Sequence, residues 1–149
     1  MKKIVIVGLI LAAFGTAAAI ADIHEDRESV MKENGAALKA LSGLIAATPF
    51  DAAAAKAQTQ ILIDNSDKIP GLFAPGSENA DHSALPVIWS DAAGFKAAAA
   101  KLGTDAAAAQ AATDGTALAA AIKTVQGDCG ACHTTYRAPR KAAPAPAPQ

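Results

Sequence analysis

Residues 128–137 read Asp-Cys-Gly-Ala-Cys-His-Thr-Thr-Tyr-Arg, and they contain both cysteines of the 149-residue chain. Cys129 and Cys132 stand three apart, with His133 directly after the second. Three chemistries use such a grouping: a redox-active disulfide, half of a zinc site, and a haem attachment sequence. A redox pair needs its thiols at a helix N-terminus, where the dipole lowers their pKa, and usually a βαβ setting. Here the pair falls late in a helical pattern with no strand before it. A zinc site needs four ligands, and beyond these three only His24 and His82 offer ring nitrogens, neither at zinc-finger spacing. A haem attachment needs two thiols one helical turn apart to reach neighbouring porphyrin vinyl groups, and a histidine alongside to meet the iron. Cys129, Cys132 and His133 satisfy all three requirements, since positions i, i+3 and i+4 share one side of a helix.

The N-terminus fits that chemistry. Lys2 and Lys3 precede an apolar run from Ile4 to Phe14, and Ala19-Ile20-Ala21 has the A-x-A form of a cleavage site. The run is short for a bilayer span, so residues 1–21 are expected to be a secretory signal and not an anchor. Covalent haem attachment in bacteria takes place outside the inner membrane, so export and the motif agree, and the expected location is periplasmic. Without Lys2 and Lys3, eleven basic residues face fourteen acidic ones. That balance argues against a nucleic-acid binder with a basic surface and against an anionic-membrane patch. At the other end, Ala and Pro alternate from Ala143 onward, and residues 139–149 are expected to be an extended, disordered Ala/Pro-rich tail with no core of its own.

Between these ends the composition favours helix. Met31, Leu38, Leu41 and Ile45 form one stripe, predicting a first helix from about Ile23 to Ala47, stopped by Thr48-Pro49. Asp51 is placed to cap a second helix, with Ala54, Gln58, Ile61, Leu62 and Asn65 on one side, ending near Asp67. Residues 68–85 read as a long loop. A third helix should open at Pro86, carry Trp89 and Phe95, and run past Gly103 to about Ala111. Asp114 caps a fourth, whose stripe is Leu118, Ile122, Val125, Cys129, His133 and Tyr136. The expectation is an all-α, antiparallel four-helix bundle over residues 22–138. Its interior is mostly alanine, with one Trp, one Tyr and few Phe, so it buries little apolar area unless something large fills it. A haem is such an object.

In this order, Arg27-x-x-x-Met31, Pro49-Phe50-Asp51, Pro86-Val87-Ile88-Trp89 and Cys129-x-x-Cys132-His133-x-x-Tyr136-Arg137 resemble the class II c-type cytochromes, the cytochrome c-prime family. The resemblance covers the chain between the signal and the tail. It implies one covalently bound haem c, His133 as the proximal ligand, and a role in periplasmic electron transfer or gas binding. Some members leave the sixth iron position open to nitric oxide or carbon monoxide; their low-spin relatives fill it with a methionine. Met31 is at that position and is the only methionine outside the signal. Met31-Lys32-Glu33-Asn34-Gly35 looks more like the low-spin group, so Met31 is the candidate distal ligand. The resemblance also implies that Arg27 meets a haem propionate. Tyr136 and Trp89 are candidate haem contacts, and Arg137, four residues after His133, is placed to approach its imidazole. His24 and His82 read as exposed, with His82 a weaker candidate for the sixth position. The function expected is a one-electron carrier, not an enzyme, meeting periplasmic redox proteins. Ala36, Ala37 and Ala40 near the outer face of the first helix would allow a homodimer.

Overall fold

The computed structural model describes residues 15–78, 80 and 83–139. It contains five helices: α1 (Gly15–Leu44), α2 (Ala52–Leu72), the single turn α3 (Val87–Ser90), α4 (Ala92–Ala109) and α5 (Gly115–Tyr136). The four long ones make the expected bundle. α2 packs along both α1 and α4, and α4 along α5, whereas α1 and α5 touch only slightly. The expected signal run Ile4–Phe14, the end of the Ala-Pro tail and His82 lie outside the described residues. α1 starts at Gly15 and not at Ile23, continuing back through the expected cleavage point. No helix among the described residues is long and apolar enough to cross a membrane.

Both predicted aspartate caps form. Asp51 accepts from the Ala54 N–H at 2.8 Å, and Asp114 from the Ala117 N–H at 2.8 Å. Each satisfies an amide that the helix leaves over, worth about 1 kcal/mol. Two boundaries differ from the sequence reading. α2 does not stop near Asp67 but runs through Pro70 to Leu72. A proline inside a helix costs about 3 kcal/mol, yet Ile69 is buried in the core, and Phe73 N–H closes the end onto the Pro70 carbonyl. Core burial outweighs the breaker. The third predicted helix, in contrast, is cut in two at Asp91. Its carboxylate accepts from Gly94 N–H at 3.1 Å, restarting the chain as α4. An aspartate that can bond local backbone competes with helix continuation in this way.

The core shows what alanine does here. Leu41, Leu62, Leu118 and Val125 are almost wholly buried, each stabilising by about 1.5–3 kcal/mol. Around them Ala37, Ala55, Ala99, Ala106 and Ala109 let the helices approach closely. The buried side of α2 falls on Ala55, Thr59, Leu62, Asn65, Ser66 and Ile69. It is rotated from the predicted side, leaving Ala54, Gln58 and Ile61 half-buried. Ala37 faces the core, while Ala36 and Ala40 stay exposed.

Two glycines mark opposite environments. A Cβ at Gly115 would run into the backbone of Ile45, 2.9 Å from its carbonyl carbon, whereas a Cβ at Gly35 would meet nothing. Gly115→Ala should therefore destabilise the bundle by about 1–3 kcal/mol. Gly35→Ala should stabilise it by about 0.5–1 kcal/mol through helix propensity. Urea denaturation of the two variants checks the pair, and shifts of the same sign would contradict this packing.

Candidate haem site

Where α1 and α5 stand apart, a cavity of about 750 Å³ opens between them. This is within the range of small-molecule sites. One wall is α5, which presents Cys129, Cys132, His133 and Tyr136. Their spacings keep them on one face, so the stripe read from sequence is the cavity face of α5. The facing wall is α1, with His24, Arg27, Met31 and Asn34. Ile69, Ile88 and Leu102 make an apolar floor with two phenylalanines.

The floor is held by ring contacts. Phe73 and Phe95 meet edge-to-face at 5.0 Å between centroids, and Phe95 and Tyr136 at 5.2 Å. The Tyr136 hydroxyl donates to the Asp91 carboxylate at 3.0 Å, the same side chain that caps α4. Gly94 makes room for this, since a Cβ there would lie 2.7 Å from the phenol oxygen. The C-terminal end of α5 is tied over the rim by an antiparallel bridge between Ala84 and Arg137, with Leu85 N–H donating to the Tyr136 carbonyl. Arg137 N–H closes the helix onto the His133 carbonyl, and Arg137 lines the cavity.

Arg27 is not a surface arginine. It is 3% exposed, with Nε donating to the Leu72 carbonyl at 2.9 Å and Nη2 to the Ser77 hydroxyl at 2.7 Å. Its guanidinium lies 4.0 Å from the Phe73 ring centroid. It therefore clamps α1 to the C-terminal end of α2, where a cation suits the helix dipole. Met31 sits at the mouth and is the most exposed large apolar side chain among the described residues, at 37%. Trp89 does not line the cavity. It stands behind Phe73, ring centroids 6.3 Å apart, and donates from Nε1 to the Ala74 carbonyl. His24, expected to be exposed, is half-buried against the cavity, one turn before Glu28.

The thiols are tuned away from redox catalysis. Burial pushes Cys129 above the ordinary thiol range, and the Asp128 carboxylate beside it adds to the effect. Burial likewise raises Cys132, with Cys129 contributing. A disulfide-exchange enzyme needs the opposite shift. Asp128 is held at the edge of this wall by Lys101, Nζ to Oδ1 at 2.9 Å. Among the described residues, no three His, Cys, Asp or Glu side chains gather as a zinc site would require.

Residues 22–137 match the family described as Cytochrome C'. The chain is a member of the cytochrome c' family. A cytochrome c-556 of Agrobacterium fabrum is 46% identical over 116 residues, which are 76% of this chain and 79% of the relative. A cytochrome c' of Rhodopseudomonas palustris is 36% identical over 136 residues, 89% of this chain and 93% of the relative. A solved structure of cytochrome c' from Rhodopseudomonas palustris superposes with a TM-score of 0.72 at 34% identity, covering 80% of this chain and 98% of the other. The bundle expected from sequence is thus the fold of the cytochrome c' family. The cofactor of that family, covalently attached haem c, fits what the cavity offers: an apolar floor, two thiols one turn apart and an imidazole on one wall, and a buried cation opposite.

Sequence reasoning did not find Phe73, Phe95 and Asn34 as cavity residues. Phe73 fell in the segment read as loop, and Phe95 was placed on a helix with no face assigned. For Asn34 the signal was available: it lies one turn beyond Met31 and two turns beyond Arg27 on α1.

Tyr136 gives this site a pH signature. Burial first, then the Asp91 hydrogen bond and charge, push its phenol above the usual value. Stability tied to the neutral phenol is therefore present below about pH 10. It is lost as the pH climbs through the higher folded value. Tyr136→Phe should lower the melting temperature at neutral pH and flatten the alkaline loss seen in a melting-temperature series. If the alkaline slope is unchanged, it belongs to Lys101, pushed up to about 12 by its aspartate partners.

Proposed function

We propose that this chain is a periplasmic mono-haem cytochrome that carries one electron, with His133 and Met31 as the two axial ligands. The observation that carries the reading is the pairing of opposite walls: the thiols and imidazole on α5 face the thioether on α1 across one cavity. Cys129 and Cys132 would form the thioether bonds, and His133 would ligate the iron from α5. When bound, haem supplies the one-electron couple, and a thioether opposite histidine favours the ferrous form.

The chain's own residues do the rest. The rim bridge between Ala84 and Arg137 anchors the C-terminal end of α5, the helix that carries His133. The aromatic floor excludes water beneath the ring. Arg27, immobilised by Leu72 and Ser77, would supply the positive charge for a haem propionate. With His133 and Met31 both on long helices of the bundle, the two side chains would hold the haem iron with little rearrangement between oxidation states, which would keep reorganisation small. The protein needs no catalytic residue; its partners are redox proteins meeting an exposed edge through a small, transient interface. The exposed Ala36 and Ala40 of α1 are the face offered to a second copy.

One observation favours the other branch of the family. Met31 lies at the mouth and is not packed in the core, so its thioether is free to leave a site that nitric oxide or carbon monoxide could take. An absorption spectrum of the reduced holoprotein, with and without carbon monoxide, separates the two. Sharp low-spin bands indifferent to carbon monoxide are expected in the wild type. Met31→Ala should convert them to broad high-spin bands that respond to carbon monoxide, and should lower the reduction potential. A wild type that already binds carbon monoxide would replace electron carriage with gas binding.

A further inference from the structure

Asn34 is 6% exposed, yet it lines the cavity one turn beyond Met31 on α1. Its carboxamide oxygen is already committed, accepting from Asn65 Nδ2 at 3.0 Å. Asn65 is itself 1% exposed and locked in orientation. Its oxygen accepts from Lys68 Nζ at 3.1 Å, and its amide also donates to Glu33 at 3.1 Å. The order of donors and acceptors therefore runs one way, from the Lys68 ammonium through two carboxamides. What remains at the inner end is the NH₂ group of Asn34, on a residue whose open side is the cavity. Each bond in such a chain polarises the next, so the terminal N–H is a stronger donor than an isolated amide. An amide whose donor end is left over beside a mostly apolar cavity gains most from an acceptor bound there.

We propose that Asn34 is a hydrogen-bond donor on the Met31 side of the haem, selecting small ligands whose bound atoms accept a hydrogen bond. The inference rests on haem occupying the cavity with His133 on the α5 side; it does not depend on whether Met31 ligates. Anions such as cyanide and azide gain from the donor when they bind ferric iron, while carbon monoxide, a poor acceptor, gains little. Asn34 is thus a specificity-determining residue for whatever small ligand takes the sixth position, and it biases that choice towards anions.

The test uses haem-loaded protein in a Met31→Ala background, with and without Asn34→Leu, titrated with cyanide and azide in the ferric state and with carbon monoxide in the ferrous state. Removing the amide should weaken cyanide and azide by about tenfold, as losing one good hydrogen bond does. Carbon monoxide affinity should stay within about twofold, since no strong bond is lost. The C–O stretch of the carbon monoxide complex should move up, a change that a purely structural role of Asn34 would not produce. Asn34→Leu strands the buried Asn65 amide; if that variant does not fold, Asn34→Leu with Asn65→Leu removes the pair and carries the same comparison. Anion and carbon monoxide affinities that fall together, or an unmoved C–O stretch, would overturn the proposal. A wild type that binds carbon monoxide without any substitution overturns Met31 ligation alone, and the Asn34→Leu comparison is then made in the wild-type background.

Discussion

The structure depends on α1 and α5 being held apart. In a bundle whose helices pack through alanine, two helices close unless something keeps them separate, because close approach is what small side chains favour. Here α1 closes on α2, and α4 closes on α2 and α5, but the last pairing is left open along much of its length. Among the described aromatic residues, Phe73, Phe95 and Tyr136 already form the floor and Trp89 stands behind it. A rigid, flat, largely apolar group the size of a haem completes the core that the alanines leave short. The cofactor would then be a folding element as well as a redox centre, and attachment through Cys129 and Cys132, as proposed, would make it a permanent one.

Several features read as devices that hold this opening at a fixed width. Arg27 reaches from α1 to the C-terminal end of α2, Phe73 packs beneath its guanidinium, and Phe95 and Tyr136 extend the same run of rings to α5. One contiguous path of contacts thus joins the two walls through the floor. Asp91 has three duties on this path: it ends α3, caps α4 and receives the Tyr136 hydroxyl. The break in the third predicted helix is therefore the means by which the α5 wall is anchored.

The parts legible in the sequence were those fixed by local chemistry. Cys129, Cys132 and His133 announce themselves by spacing, Asp51 and Asp114 by capping, and the α5 stripe by its period. The parts that were not legible were decided at a distance. Nothing local distinguishes Lys68-Ile69-Pro70-Gly71 from a turn; only the burial of Ile69 keeps the helix going. Trp89 looks like a haem contact because it is large and aromatic, yet the turn at α3 puts it behind Phe73. Arg27, expected from the resemblance to meet a propionate, lines the cavity from α1. That its guanidinium would be held by the Leu72 carbonyl and Ser77 depends on a loop with no periodicity to read.

The two walls also differ electrically, and that difference bears on how the iron would be tuned. Along α5, burial raises the Cys129 thiol and the neighbouring Asp128 carboxylate adds to it, with Lys101 and Asp105 arranged outside. Along α1, Arg27 and the amide of Asn34 supply positive charge and a polarised donor. With haem in the cavity, the Asp128 carboxylate would favour the ferric form, whereas the cation and the donor on α1 would favour the ferrous form or an anionic ligand. Because these groups belong to different helices, the sequence can shift the balance at one wall without disturbing the other. On the proposed site, the same bundle could serve electron carriage or ligand binding through a few substitutions on α1, while the α5 wall with Cys129, Cys132 and His133 stays as it is.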